Sequence, residues 1–340
     1  MSESLIKAWY QGAWWLWLLW PLSLLYRVLR QGLLVLSPPP KANLLPLLVV
    51  GNISLGGTGK TPVVQALVRH LAAQGIRCGI ISRGYGGQVG AGPKLVTAKD
   101  TPLSVGDEPY LLWQTTQVPV VVGSDRQAAI KLLAVGHDLD LIISDDGLQN
   151  QTIKGDMEWL LIDGQRGLGN GQCLPMGPLR EPPQRLNSVD AIMVVAGEAD
   201  KLPKGVSGGT TPVFYITPKL TGLRRLYDNE RVAWPAPNSQ VKALAGIGNP
   251  QRFFADLEHQ GLTVEPVAFA DHHHFRAQDL APFRDLALIM TAKDAVKCKA
   301  LADSQDQQWY YAEQGLELPA SAVQAVLNKL HLDGKYNDHG

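Results

Sequence analysis

Cysteine is scarce in this sequence: only three occur in 340 residues, and none belongs to a Cys-x-x-Cys pair. Cys78, Cys173 and Cys298 lie far apart, and no histidine stands at zinc-finger spacing from them. This excludes a disulfide scaffold and a structural zinc site as expectations, and a sparse, odd number of thiols suits a reducing compartment. We therefore interpret each cysteine as a small buried hydrophobic residue.

The chain also lacks an excess of charge of either sign, since Lys plus Arg and Asp plus Glu both number 31. A balanced chain has no global attraction to nucleic acid or to acidic polymers, so we expect no nucleic-acid partner. Nothing in the sequence predicts an obligate protein partner. The length exceeds that of a usual single domain and predicts about two domains, each with its own core.

Tryptophan is concentrated at the N-terminus, because five of the nine tryptophans precede Pro21. No charged residue lies between Lys7 and Arg27, and leucines fill the gaps between the indole side chains. This stretch is near the lower length limit for a membrane span, roughly 17 residues. Since tryptophan prefers the headgroup boundary and proline interrupts the stretch, we predict a monotopic anchor lying in one leaflet. A buried helix of the globular core is the alternative.

Short apolar runs alternate with amphipathic stretches along most of the chain. Apolar strands separated by helices are typical of a parallel, doubly wound sheet, so we predict an α/β fold. Helices are predicted over residues 60–74 and 124–135, and a loop rich in Gly and Pro over 164–185. The strands of this sheet are predicted at residues 44–50, 78–82, 118–122, 139–144, 159–162 and 191–195.

A glycine-rich segment between the first predicted strand and the first predicted helix is the strongest chemical signal. It matches a P-loop with one departure, because Ser54 stands where the full pattern has Gly. In a P-loop the backbone amides face phosphates, the lysine neutralises the β- and γ-phosphates, and the hydroxyl of Thr61 would bind Mg²⁺. The alternative is a glycine-rich turn that only reverses the chain, but it explains less well why the segment lies at the start of a helix. The predicted nucleotide-binding residues are Ser54, Leu55, Gly56, Gly57, Thr58, Gly59, Lys60 and Thr61.

Two adjacent carboxylates, Asp145 and Asp146, follow the strand predicted at 139–144. A P-loop enzyme needs a carboxylate at the end of a neighbouring strand to hold its metal ion. Capping of the next helix would explain one aspartate better than two. We predict that Asp145 binds Mg²⁺ and that Asp146 lies near the reacting groups.

Two further segments offer acid–base chemistry. Asp107 begins a predicted helix and either stabilises the helix N-terminus or acts as a general base toward a substrate hydroxyl. In the run 271–275, which reads Asp-His-His-His-Phe, neighbouring histidines would point to opposite faces of a strand. One metal site made from all three is therefore not expected. A histidine paired with a carboxylate is the favoured interpretation, and a solvated loop is the alternative.

The sequence divides into four regions. We predict a membrane-associated helix over 1–40, a P-loop NTPase-like core domain with a parallel sheet over 41–210, a linker rich in Gly and Pro over 211–240, and a smaller second α/β domain over 241–335. Elements of the last region are predicted as strands at 241–245, 263–269, 286–291 and 307–311, and as helices at 250–260 and 320–330.

These elements, in this order and behind an aromatic apolar N-terminus, resemble the tetraacyldisaccharide 4'-kinase family over essentially the full chain. Jointly they are far more specific than a P-loop alone. The segments that carry the resemblance are VGNISLGGTGKTP, ISRGYGG, VGDEP, LIISDDGLQN, LPMGPLREP, AGIGNPQRFF, FADHHHF and MTAKDAVKC.

The resemblance implies transfer of the γ-phosphate of ATP, with Mg²⁺, to the 4'-hydroxyl of a tetraacylated glucosamine disaccharide 1-phosphate, giving lipid IVA. It places this reaction of lipid A synthesis at the cytoplasmic face of the bacterial inner membrane, with the acylated lipid and the membrane surface as partners. It also implies catalytic roles for Lys60 and Asp146, and a base at Asp107 assisted by His272. Arg83, Arg180 and Glu181 lie in family-like segments and are candidates for substrate or metal contacts.

Two positions depart from the usual family pattern. Asn150 stands where His follows Asp-Asp-Gly-x-Gln, and Ala292 stands where Glu precedes Lys-Asp. Asparagine keeps hydrogen-bonding capacity without a titratable proton, whereas alanine removes a carboxylate. The phosphate-binding segments are unchanged, so we expect activity to be retained.

Two other classes of protein share part of this pattern. A membrane-anchored GTPase or ATPase switch or assembly protein would need a guanine-binding motif, and the run 291–294 carries its lysine one residue late for that motif. A non-catalytic membrane-attached binding module would need neither the pair Asp145 and Asp146 nor Asp107.

Overall fold

The computed structural model of the protein describes residues 3–197, 201–206 and 209–332. Several helices begin at a residue whose side chain caps the helix. The Asp125 side chain, for instance, accepts a hydrogen bond from the Ala128 amide. The α-helices are α1 (Glu3–Gln11), α2 (Trp20–Leu36), α3 (Lys60–Ala72), α4 (Pro102–Val105), α5 (Asp107–Thr116), α6 (Arg126–Gly136), α7 (Pro250–His259), α8 (Ala277–Leu280), α9 (Ala292–Cys298) and α10 (Ala320–Lys329).

The first sheet has eight strands, and its inner strands are buried along their whole length except at Glu158. That double burial explains the continuous apolar runs in the sequence. The strands are β1 (Leu47–Gly51), β2 (Cys78–Ser82), β3 (Lys94–Leu95), β4 (Val120–Val122), β5 (Leu141–Asp145), β6 (Met157–Asp163), β7 (Ala191–Val195) and β8 (Val213–Ile216). Their order is β3-β4-β2-β5-β1-β6-β7-β8, and only β3 is antiparallel to its neighbour. The predicted parallel α/β sheet is confirmed.

Helices cover both faces of the first sheet. Side chains of α3 and α5 pack with the residues of one face, and side chains of α6 pack with those of the other. Because successive residues of a strand point to opposite faces, Leu48 and Val50 belong to the first of these cores, and Leu47 and Val49 to the second. The carboxyl ends of β1, β2 and β5 therefore meet at one edge of a rigid layer.

The second sheet has six strands: β9 (Lys219–Arg225), β10 (Arg231–Val232), β11 (Gln240–Ala245), β12 (Thr263–Ala268), β13 (Leu288–Thr291) and β14 (Trp309–Gly315). Their order across the sheet is β10-β9-β14-β13-β11-β12. Four strands are parallel, and β9 pairs antiparallel with both β14 and β10. Helix α7 packs on one face, and α9 packs on the other.

Two features differ from the organisation expected from the sequence. The segment 211–240, expected to be a linker, contains β8, which completes the first sheet, and β9 and β10, which belong to the second. Helix α10, expected in the second domain, packs on the first: Val326 and Leu327 share a core with Leu67 of α3. After the last strand of the second sheet, the chain thus returns to the first sheet through α10. This helix links the two sheets.

The N-terminal segment is partly docked and partly exposed. Trp9 and Leu16 are buried against Met176, in the loop that follows β6. Large apolar side chains of the 14–36 segment are exposed instead, among them Trp14 at 78% and Leu36 at 83%. Within the described part of the chain, no helix is long and apolar enough to cross a membrane.

Candidate active site

The predicted P-loop joins β1 to α3 and lies at the carboxyl edge of the first sheet. Gly56 and Gly59 have φ angles of +99° and +81°, in the left-handed region that glycine adopts without strain. The Lys60 ammonium lies 3.2 Å from Asn52 Oδ1 and 3.4 Å from Asp146 Oδ1. The Thr58 hydroxyl is buried and has no hydrogen-bond partner among the residues that the structure describes. The loop therefore places a fixed cation at the start of a helix, which is a site suited to phosphate.

The loop is braced by the segment that follows β6. The Leu55 amide donates to the Pro178 carbonyl at 2.8 Å, and the Arg180 amide donates to the Ile53 carbonyl at 2.6 Å. These two hydrogen bonds fix the backbone of the loop in the absence of a ligand. Less conformational entropy is therefore lost when a ligand binds.

Asp145 ends β5 and is almost fully buried, at 1% exposed. Ser82 Oγ lies 3.4 Å from its Oδ2, whereas no described residue hydrogen-bonds to its Oδ1. Burial raises the pKa of Asp145 to about 7, and the nearby Glu108 adds to that shift, whereas Lys60 opposes it. A cation bound at the free oxygen would stabilise the ionised form of this buried carboxylate and so lower its raised pKa.

Asp146 follows directly and has a φ of +53°, which turns its side chain toward the P-loop lysine. Arg180 donates to its carboxylate at 3.2 Å. Burial acts to raise the pKa of Asp146, but Lys60 and Arg180 outweigh burial and hold the pKa below its usual value. The two adjacent aspartates therefore differ in charge state: Asp146 is ionised, and Asp145 is poised between its two forms near neutral pH.

Asp107, the first residue of α5, is brought to His272 of the second domain. His272 Nδ1 lies 3.2 Å and 3.1 Å from the two carboxylate oxygens of Asp107. His272 has a φ of +60°, and the edge of the Tyr85 ring packs against its imidazole. The hydrogen bond to Asp107 is the main cause that raises the pKa of His272. Burial acts to raise the pKa of Asp107, but His272 and Lys293 outweigh it and lower the pKa.

Two lysines of α9 surround this pair, and the sequence analysis did not single them out. Lys293 Nζ lies 3.0 Å from Glu108 Oε1, and Lys297 Nζ lies 2.7 Å from Asp294 Oδ1. Lys293 and Lys297 are four residues apart on one helix, so they lie on the same face. That spacing within the segment 292–298 was the signal that could have revealed them.

Arg126 is a second group that the sequence analysis missed. Its guanidinium is buried at 2% exposed and donates to the Asp145 main-chain carbonyl at 3.1 Å. Burial lowers the pKa of Arg126 to about 10, and Asp145 and Asp146 oppose that shift. The arginine stands at the start of α6 behind β5, so it adds positive charge beneath the two aspartates.

The three candidate substrate residues have different surroundings. Arg180 pairs with Asp146 and also donates to Gln149 Oε1 at 3.2 Å. Glu181 is buried and accepts from Gln149 at 2.7 Å, and Arg30 of α2 lies 3.0 Å from its carboxylate. Arg83 is exposed at the rim of the cleft. The structure thus brings Arg180 to the aspartate pair and links Glu181 to the N-terminal segment.

Most of these groups border one continuous cleft of about 3120 Å³ between the two sheets and α2, whereas Asp107, Glu181 and Lys297 do not line it. Lys60, Asp145, Asp146 and His272 line it together with side chains of α2. Among the residues that the structure describes, no group of three or more His, Cys, Asp or Glu could hold a metal ion. Magnesium does not require such a group, because it is commonly bound by one or two carboxylates, waters and substrate phosphates. Asp145, with its free oxygen, fits that role.

The two departures from the family pattern have local explanations. Asn150 Oδ1 accepts from the Thr152 amide at 2.9 Å and so holds a turn beside the cleft. Ala292 lines the cleft next to Lys293. The remaining histidines of the 271–275 run diverge from His272, since His273 Nε2 instead lies 3.3 Å from Asp279 Oδ2.

Guanine recognition by the run 291–294 is disfavoured by its geometry. Asp294 is fully buried, and its Oδ2 lies 2.7 Å from Thr291 Oγ1 and 2.9 Å from the Gly246 amide. This carboxylate is held by Thr291, the N-cap of α9, and by Gly246, and its burial shields it from a base in the cleft. The regulatory GTPase alternative therefore loses its candidate motif.

Comparisons with known proteins agree with this geometry. The family model for Tetraacyldisaccharide-1-P 4'-kinase matches residues 15–331. Tetraacyldisaccharide 4'-kinase from Pseudomonas putida (strain W619) is 44% identical over 326 residues, covering 94% of each chain. The enzyme of the same name from Pseudomonas aeruginosa (strain LESB58) is also 44% identical over 326 residues, covering 94% of this chain and 95% of that one.

A solved structure is similar as well. The crystal structure of LpxK from Aquifex aeolicus in complex with ATP superposes with a TM-score of 0.76 at 26% identity, covering 92% of this chain and 98% of that chain. The resemblance predicted from the sequence motifs is confirmed. On the family match and the relatives at 44% identity, this chain belongs to the tetraacyldisaccharide 4'-kinase family.

Proposed function

We propose that this enzyme transfers the γ-phosphate of ATP to the 4'-hydroxyl of a tetraacylated disaccharide 1-phosphate and so forms lipid IVA in lipid A biosynthesis. Family membership supports the reaction, and the similar Aquifex aeolicus protein was solved in complex with ATP. One observation carries the proposal most strongly. The Lys60 and Asp146 pair and the His272 imidazole hydrogen-bonded to Asp107 border the same cleft, so phosphate and hydroxyl can meet there.

The phosphate donor would be held by the segment 54–61. Backbone amides of this loop and the Lys60 ammonium would balance the negative charge of the β- and γ-phosphates. When bound, Mg²⁺ would be held by Asp145 and the Thr61 hydroxyl and would offset charge on the transferred phosphoryl group. Asp146 is ionised and lies 3.4 Å from Lys60 Nζ, so it would keep that lysine aimed at the phosphates.

The acceptor hydroxyl would be activated by Asp107. Its pKa is held below the usual value, so it is a carboxylate at neutral pH and able to accept a proton. His272 would orient this carboxylate and stabilise it through Nδ1. As the O–P bond forms, the hydroxyl proton would pass to Asp107, and the bond from the γ-phosphorus to ADP would break. Arg83, Arg180 and Glu181 would contact the disaccharide or the metal from the opposite side of the cleft.

The lipid would reach this cleft from a membrane surface. We propose that the segment 14–36 anchors the enzyme, peripherally or monotopically, at the cytoplasmic face of the inner membrane. Many large apolar side chains of this segment are exposed, as expected of a surface that contacts a membrane. Leu29 and Leu33 of the same segment line the cleft. Acyl chains could therefore stay in the bilayer while the head of the lipid enters the cleft.

The test is a transfer assay with γ-labelled ATP, Mg²⁺ and detergent-dispersed tetraacyl disaccharide 1-phosphate. Label should enter the lipid with the wild type and with Lys99→Ala, an exposed lysine remote from the cleft, but not with Lys60→Ala. Release of free phosphate by a folded wild-type protein, without label in the lipid, would contradict the proposal and favour a membrane-bound nucleotidase or switch.

A further inference from the structure

Lys293 stands out because its ammonium group lies beside both members of the Asp107–His272 pair. Its Nζ lies 3.0 Å from Glu108 Oε1, 3.4 Å from Asp271 Oδ1 and 3.4 Å from His272 Nε2. It also lies 3.8 Å from Asp107 Oδ2, and the side chain is 16% exposed. An ammonium held by three carboxylates and an imidazole nitrogen has little freedom to rotate away.

The contact with His272 constrains where the imidazole carries its proton. An ammonium group has three N–H donors and no acceptor, so a nitrogen 3.4 Å away that shares a hydrogen bond with it must accept. Nε2 is then unprotonated, and the single ring proton is on Nδ1, which faces the Asp107 carboxylate at 3.1 Å. Resting on the function proposed above, we infer that Lys293 is a positioning residue that fixes this tautomer and keeps His272 neutral beside the base.

Without this lysine the balance of charge around the imidazole would change. Asp107 and Asp271 both favour a protonated His272, while Lys293 opposes it. Lys297 lies 4.0 Å from Asp107 Oδ2, and Glu108 pairs with Lys293 at 3.0 Å. A fully protonated imidazolium would form a tight ion pair with Asp107 and weaken it as a proton acceptor.

Lys293 itself remains charged in this environment. Burial acts to lower its pKa, but Glu108, Asp107 and Asp271 outweigh burial and raise it. The fold of α9 does not depend on the lysine, since the helix start is held by Thr291, whose hydroxyl accepts from the Asp294 amide at 3.1 Å. A variant at position 293 should therefore fold.

The first readout is the pH dependence of kcat for Lys293→Met, which keeps the length of the side chain and removes its charge. Loss of the cation raises the pKa of His272, so neutral imidazole is reached only at higher pH. The acid limb of the profile should move up by about one pH unit, so the activity lost at pH 7, about tenfold, should recover toward pH 9. Lys293→Arg should restore most of the activity, and Lys131→Met, on exposed α6, should match the wild type.

A loss of kcat that is the same at every pH, or a profile that does not move, would overturn the inference, because a purely structural role predicts that result. The second readout needs no turnover and therefore stands even if the proposed reaction fails. In ¹⁵N-histidine NMR spectra, with His272→Gln used to assign the signal, wild-type His272 should show protonated Nδ1 and unprotonated Nε2 at pH 7.5. In Lys293→Met it should shift toward imidazolium. A wild-type signal with protonated Nε2 would refute the inference.

Discussion

The cleft brings together two charged regions that are built differently. In the phosphate region, formed by the P-loop and the end of β5, the Asp145 carboxylate is buried, and one of its oxygens has no hydrogen-bond partner among the described residues. Burial raises its pKa to about 7. In the base region, formed by the start of α5, the 271–275 run and α9, the Asp107 carboxylate is also buried but surrounded by His272 and lysines, and its pKa is lowered.

The two regions therefore differ in what stabilises the ionised carboxylate. The phosphate region would need an added positive charge, whereas the base region already contains positively charged side chains. A buried carboxylate that prefers its neutral form destabilises the protein when ionised, and a bound cation would reverse that preference. A buried carboxylate that prefers its charged form is organised before substrate arrives, which is what a proton acceptor requires. In the proposed function, the same residue type would thus serve metal binding in one region and proton transfer in the other.

The largest expected effect is on the base region. Asp107→Asn keeps the shape of the side chain but cannot accept a proton, so kcat should fall by about 10³-fold. The phosphate region is untouched, so the affinity for ATP with Mg²⁺, measured by calorimetry, should match the wild type. Near-wild-type turnover at saturating substrate would show that Asp107 is not the base.

The second prediction compares stability in the two regions. At pH 8 and without nucleotide, Asp145→Asn should raise the thermal midpoint because it removes a buried charge that the fold disfavours. Asp107→Asn should lower it because it removes the buried negative charge that faces His272, Lys293 and Lys297. Each change should be on the order of 2 kcal/mol, or several degrees in the midpoint. Shifts of the same sign in the two variants would contradict the distinction between the regions.

The third prediction concerns pH. The folded-state pKa of Asp145, about 7, lies above its ordinary value of 3.8, so the folded protein binds more protons between those values. The stability that this group contributes is present below about pH 4 and is lost as pH rises through about 7. The gap in thermal midpoint between Asp145→Asn and the wild type should therefore be wide at pH 8 and nearly closed at pH 4. A gap that is equal at both values would argue against a raised pKa.

The smallest effect is expected outside both regions, on the anchor. The double variant Trp14→Ser, Leu18→Ser removes two exposed apolar side chains and should weaken binding to anionic lipid vesicles by about tenfold. Turnover of detergent-dispersed substrate should change less. Val135→Ser, at a 77% exposed position on α6, is the matched control. Equal vesicle binding by all three proteins would remove the role proposed for the 14–36 segment.

Much of the first sheet could be predicted from the sequence because strands buried on both faces leave continuous apolar runs. The strands of the 211–240 segment could not, because β9 reads Lys-Leu-Thr-Gly-Leu-Arg-Arg and lies half exposed. The sequence predicted helix α10 but not the core against which it packs, because an apolar stripe on a helix can pack against any hydrophobic core. The return of α10 to the first sheet depends on contacts distant in the chain.

The candidate site divides in the same way. Residues 54–61 and the pair Asp145 and Asp146 could be identified because their chemistry lies in consecutive residues. The surroundings of the base could not, because Asp107 meets His272 across 165 positions and Lys293 meets Glu108 across 185. Arg126, buried behind β5, gave no local signal of any kind.

The most direct test of the proposed reaction is the position of the transferred phosphate. The product formed from ATP and tetraacyl disaccharide 1-phosphate can be isolated and its ³¹P–¹H couplings measured by NMR. The proposed reaction predicts a second phosphomonoester coupled to the proton at the 4' position, with the 1-phosphate unchanged. A diphosphate at position 1, or a phosphate on any other hydroxyl, would contradict it.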